Sequence, residues 1–324
     1  MKPLRFKQLV CTTALLLGAS TIFGEPAAQH AQKDEGKPEK QKSYFLSSLL
    51  PISLQSHPLL AISVITEMTD LGKKLPEPAA NRPYFYLIKS MGYQHAGHGV
   101  SDEGKVSEEN IDRLIQNALA SRHYLPTDKD HPATICLFYF WGLHSKLDEA
   151  DPETGDGGFV DIGHKNLLAR AQLVGGEKFA KEFEKALVEK ENWLIGGRIG
   201  ADPFYFFTIR SDLNRNLVDQ VLDTCYYVVV SAYDAGAMAK GERKLLWRTK
   251  MSTPAQGVSL AETTPALVAS GGPNFGRAMD EPSIIDKRIN RKGNVGMGEL
   301  KVMEMDGKPT EKSDKDSTAP AEKK

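Results

Sequence analysis

Apolar residues recur at helical spacing in several separate stretches of this chain. After Ser107, a good N-cap, Ile111, Leu114, Ile115, Ala118 and Leu119 share one face and predict a helix ending before Tyr124 and Pro126. Ser211 introduces a second helix, with Leu213, Leu217, Val218, Val221 and Leu222 in one stripe. Residues 162–174 and 177–190 read as two helical stretches separated by Gly175 and Gly176. Phe179, Phe183, Ala186 and Leu187 form the apolar face of the second. Residues 259–270 predict a last helix, stopped by Gly271, Gly272 and Pro273.

Shorter apolar runs, rich in aromatic and β-branched residues, predict strands at 62–68, 84–89, 134–141, 226–233 and 244–251. Residues 234–242 are turn-like and join the last two into an antiparallel hairpin. In Leu245-Leu246-Trp247-Arg248, strict alternation puts Leu245 and Trp247 on the core face and Lys244, Leu246 and Arg248 on the other. No internal repeat is present. The pattern predicts an α+β fold: a mixed sheet of about five strands with helices packed on one side, ending in an antiparallel hairpin and a helix.

The two ends of the chain have a different character. Lys2, Arg5 and Lys7 precede an apolar run over 9–19, which predicts a signal peptide spanning 1–24 with cleavage before Glu25. Cys11 lies inside the apolar run without an acylation pattern, so a lipid anchor is not expected. Residues 25–42 and 306–324 carry too little apolar surface to order themselves and read as a disordered linker and a charged tail. One folded unit is expected over 43–305, with a helical insertion at about 162–190. Downstream of the leader, no run is long enough to cross a membrane; the nearest, 46–64, is broken by Pro51, Gln55, His57 and Pro58.

Composition narrows the partners. The 324-residue chain is 40% hydrophobic and 26% charged, ordinary for a globular protein, and its net charge of -1 supplies no basic field for nucleic acid.

The predicted helix at 111–119, the segment Tyr124-Leu125-Pro126 and the strand from Ile135 to Tyr139 resemble the first half of a family of bacterial envelope proteins. That family is known as a domain of unknown function and is often lipid-anchored. The closing hairpin, from Tyr227 to Asp234 and then Lys244-Leu245-Leu246-Trp247-Arg248, is similar to that family's second half. The resemblance covers about half of the folded region and implies an α+β fold and an envelope location, with no activity attached. This chain departs from the family in lacking the acylated cysteine and in carrying the helical insertion.

Candidate chemistry is sparse. Cys136 and Cys225 each open an apolar, aromatic-rich run, over 136–141 and 225–233, that reads as a buried strand. Were these strands parallel neighbours, their thiols would share one edge and a disulfide would be conceivable in an oxidising compartment; otherwise they pack as small apolar groups. His95, His98, His144, Asp161, His164 and Asp234 lie at or beyond strand ends. If the three strands involved run parallel, these residues converge where α/β sheets bind ligands, and imidazoles with a carboxylate suit zinc or a similar metal. The bland alternative is solvated or locally bonded loop histidines, since the spacing matches no zinc signature.

The acidic loop 148–161 fails the EF-hand order, because Gly155 and Asp156 stand at the wrong positions. Residues 271–276 have Pro273 where a dinucleotide loop needs glycine, Ser270 lacks a nucleophile elbow, and no phosphate-binding loop occurs. Trp141, Trp193, Trp247, Tyr205, Phe206 and Phe207 read as packing aromatics. No catalytic residue and no cofactor is assigned. Two function classes remain: an exported, non-catalytic cell-envelope protein binding another envelope protein or a small ligand, and a metal-dependent hydrolase built on the His/Asp set.

Overall fold

The computed structural model describes residues 50–97, 106–146, 158–197, 200 and 202–291, with backbone alone at 158–162. The predicted leader, linker, tail and most of the acidic loop lie outside the described residues, as does His98; so does the side chain of Asp161. The architecture is mixed α+β. Seven strands form one sheet: β1 (Leu59–Met68), β2 (Tyr84–Ala96), β3 (Tyr124–Pro126), β4 (Ile135–His144), β5 (Cys225–Asp234), β6 (Leu245–Pro254) and β7 (Ser283–Arg288). Their order is β3–β2–β4–β5–β6–β1–β7. β2 runs parallel to β3 and β4, and every other neighbouring pair is antiparallel.

Two strands escape the sequence pattern. β3 is three residues long, too short to show a period, and β7 reads Ser-Ile-Ile-Asp-Lys-Arg, whose second half is fully polar. The described chain therefore does not end on a helix, because β7 follows and pairs with β1.

Helices cover both faces of the sheet, not one. Strand alternation puts Leu60, Ile62 and Val64 of β1 and Leu137, Tyr139 and Trp141 of β4 on one face. There they join Ile111, Ile115 and Leu119 of α2 (Glu108–Ala120) and Leu267 and Val268 of α7 (Leu260–Gly271) in the main core. α7 begins with a capping box between Ser259 and Glu262. The short helices α1 (Asp70–Lys73) and α6 (Ala235–Ala239) fill connections, and α6 occupies the hairpin segment that reads as a turn.

The other face carries α3 (Gly158–Ile195), α4 (Pro203–Ile209) and α5 (Asp212–Leu222), which share a second apolar cluster including Phe179, Phe183, Phe207 and Val218. α3 is two helices joined at Gly176, whose φ of 80 is open to glycine and strained for other residues. The layer is fastened to the sheet by polar bonds. Ser63 Oγ donates to the Val174 carbonyl at 2.6 Å, and Lys250 Nζ to the Gln172 carbonyl at 2.8 Å.

A bulge interrupts β6. Tyr233 pairs with Leu245 but Ala232 pairs with Trp247, so Leu246 is the extra residue. Leu246 and Trp247 are consequently both buried in the main core, where strict alternation would have sent Leu246 to the opposite face. No described helix is long and apolar enough to cross a membrane.

Candidate functional site

The α3–α5 layer lies over β1, β6 and the carboxyl end of β4, and among the described residues part of its face of the sheet stays open. Cross-strand register defines one row there: Lys89 on β2, Phe138 on β4, Ser231 on β5, Arg248 on β6 and Glu67 on β1. Partners in register project to the same face. Glu67 is held at the α3 end of this row, where it takes the Lys250 ammonium at 2.7 Å and the backbone N–H of Glu177. Phe138 and Arg248, nearer the bare end, border an open groove of about 250 Å3 whose lining also includes Met91, Phe140, Tyr233 and Arg243.

The floor is aromatic because β4 is apolar at every position from Ile135 to Trp141. Leu137, Tyr139 and Trp141 sink into the main core. Phe138 and Phe140 point the other way and stay half-buried. Tyr233 meets Phe138 edge-on at 5.6 Å and Tyr227 meets Phe140 at 6.0 Å, geometries favoured by the aromatic quadrupole. Met91 beside them is 52% exposed, at the β2 irregularity between Ser90 and Tyr93 and beyond the three residues that β3 pairs.

Charge enters from one side. Arg248 Nε donates to Ser231 Oγ at 3.0 Å and its Nη2 to the Tyr233 hydroxyl at 3.5 Å, which fixes the guanidinium plane against neutral partners. Among the described residues, neither Arg248 nor Arg243 forms an ion pair. The carboxylates around them are engaged elsewhere: Glu67 with Lys250, Glu242 with Lys244 at 2.7 Å, and Asp234 with the N–H of Ala237 at 2.6 Å. Among the described residues, the groove therefore combines an aromatic floor with two guanidinium groups that form no ion pair, Arg248 lying across from Glu67 on β1.

Of the His/Asp set, the described members do not all share one end of the sheet. β2 and β4 are parallel, so His95 and His144 do share one edge. β5 is antiparallel to β4 and its terminal Asp234 sits opposite Ile135, at the far end, where it caps α6. His95 Nε2 and Ser145 Oγ are 2.9 Å apart, and His144 Nε2 bonds Asn166 Oδ1. Burial pushes the His144 imidazole below its ordinary pKa, with Arg170 and His95 pushing the same way. Arg170 is wholly buried and donates to the carbonyls of Val221 at 2.7 Å and Ser145 at 2.8 Å, which ties α3 to α5 and to the end of β4. His164 instead pairs with Glu191 at 2.8 Å, within α3. Among the described residues, no three His, Cys, Asp or Glu side chains group as metal ligands do.

The antiparallel pairing also separates the thiols. Cys136 pairs with Tyr233 and Cys225 with His144, which sets them roughly 27 Å apart along the ladder. Both are free, so the disulfide contemplated for parallel strands has no geometry here. Of the aromatics read as packing residues, Trp141, Trp247 and Phe207 are buried, whereas Tyr205 is 58% and Phe206 51% exposed on α4.

Sequence reasoning missed the groove. Its available signal was Arg248 on the non-core side of the last hairpin strand, together with a β4 run apolar at both parities.

No family model matches the chain, and no curated protein matches it. Among solved structures it is similar to a PDZ domain protein from Parabacteroides distasonis, at 10% identity and a TM-score of 0.34. That match covers 78% of this chain, which spans 44% of the other's length. It is also similar to the PelC dodecamer subunit from Paraburkholderia phytofirmans, at 8% identity and a TM-score of 0.25, over 67% of this chain and 99% of that one. At such TM-scores neither neighbour bears on function.

Proposed function

We propose that the protein is exported to the cell envelope and acts there without catalysis, as a binding protein whose working surface is the groove on the β2–β4–β5–β6 face. The observation that carries the binding role is the half-buried pair Phe138 and Phe140, which among the described residues face a groove beside Arg243 and Arg248. A sheet face of this composition is normally buried under a helix, and α3–α5 cover only its neighbour. The export half of the proposal is supported by the charged and apolar opening of the chain. We give the hydrolase reading second place, because Asp234 lies at the other end of the sheet from His95 and His144 and His164 is engaged by Glu191.

Two measurements test the proposal. N-terminal sequencing of protein from the producing cell should begin near Glu25, and an intact Met1 on the mature product refutes export. The neutral dye Nile red should brighten on the purified protein; exposed Met91→Glu should remove most of that gain with the melting temperature retained, and Phe140→Ser should remove it at a modest cost in melting temperature. A gain indifferent to both substitutions places the binding surface elsewhere.

A further inference from the structure

We infer that the groove takes a small amphipathic monocarboxylate, a short acyl chain or single aromatic ring bearing one carboxylate, with its apolar body on Phe138 and Phe140 and its carboxylate on Arg248. This rests on the groove being the binding surface and goes further by naming the ligand's chemistry.

Three features select the class. The first is the division of the lining: Met91, Phe138, Phe140 and Met238 are apolar or aromatic, and the cations Arg243 and Arg248 are both guanidinium groups. The second is the state of Arg248. Its bonds to Ser231 and Tyr233 use Nε and one Nη2 hydrogen, so Nη1 and the remaining Nη2 hydrogen form an edge with two donors. That edge fits the two oxygens of a planar carboxylate. A phosphate dianion asks for more donors, and the groove lining includes no lysine or helix N-terminus to supply them. The third is size. A volume of about 250 Å3 lies below the range of drug-sized sites, so the apolar body is short.

Calorimetric titration of the mature full-length protein with octanoate, 1-octanol and inorganic phosphate tests the inference. Octanoate should bind about tenfold or more tightly than octanol, the difference expected of a charge-assisted hydrogen bond. Arg248→Gln should bring the two ligands level, and Arg243→Gln, an exposed change that leaves the core untouched, should narrow the gap. Phosphate should neither bind tightly nor displace octanoate. If octanol binds as well as octanoate, the carboxylate assignment is overturned while the groove reading stands. Tight phosphate binding abolished by Arg248→Gln overturns the class in favour of a simple anion site. If neither octanoate nor octanol binds and Nile red fails as well, the groove reading falls with it.

Discussion

The Lys250 ammonium and the Glu67 carboxylate lie 2.7 Å apart on neighbouring strands β6 and β1, beneath the first half of α3. Lys250 keeps only 7% of its side chain exposed and Glu67 keeps 30%. The same lysine donates to the Gln172 carbonyl and the same carboxylate receives the Glu177 N–H, so one pair fastens both sides of the Gly176 break to the sheet. Burial lowers the Lys250 pKa, and Glu67 acts against that shift.

Glu67→Gln preserves an acceptor for Glu177 and removes only the charge. The Lys250 ammonium then stays buried without a counter-charge, and urea unfolding should show a loss of about 2–3 kcal/mol, moderated by the partial exposure of Glu67. Adding Lys250→Met should recover much of that loss. A single-variant loss below about 0.5 kcal/mol, the size of an ordinary surface change, would show that the pair contributes little.

Stability should fall on acidification through His144. Its folded pKa is depressed, chiefly by burial, so the unfolded chain binds the proton more readily. The contribution is therefore complete above the ordinary histidine value of about 6.5 and is lost as pH falls through the folded pKa. Melting temperatures at intervals from pH 7.5 to 5 should show a weaker acid decline in His144→Gln than in the parent. Identical slopes would assign the decline to other groups.

Trp247 is 2% exposed and stacks on Phe275 at 5.8 Å with an interplanar angle of 20°. Tyr124 closes the cluster at 5.9 Å, and burial pushes its hydroxyl up to about 12. Trp247→Ala should cost about 3–5 kcal/mol, whereas the same truncation at half-buried Phe138 should cost less. A Trp247→Ala protein that melts within a degree or two of the parent would remove Trp247 from the core.

The two cysteines should differ in reactivity. Cys225 is fully buried with its thiol pushed up to about 12 by burial, and Cys136 is half-buried with a smaller upward shift from burial and Asp234. Mass spectrometry after a short iodoacetamide pulse on the native protein should find Cys136 labelled first, and Cys225 only after unfolding. A peptide joining Cys136 to Cys225 by a disulfide would contradict the antiparallel pairing of β4 with β5.

Local pattern made much of the fold legible. The stripe from Ile111 to Leu119 needed only 3.6-residue spacing and a cap at Ser107 to mark α2. Gly175 and Gly176 announced the α3 break because they interrupt that spacing in a way no side chain repairs. Alternation assigns Trp247 to the core, and the rule holds wherever a strand runs without a bulge. Leu246 was misplaced by the same rule, because the bulge is a property of the β5–β6 pair. β3 and β7 were invisible for a related reason: each is a strand by virtue of its neighbour and not of its own period.

The site residues divide along the same line. Sequence alone placed His95, His144 and Asp234 at or beyond strand ends, since composition and period are written residue by residue. Tertiary structure alone decided strand direction, and direction sends Asp234 to one end of the sheet and His144 to the other, and parts Cys136 from Cys225. It also decided that α3–α5 cover one portion of a face and leave Phe138, Phe140 and Arg248 open. Burial of a strand face depends on what packs over it, and that information lies in segments far away in sequence.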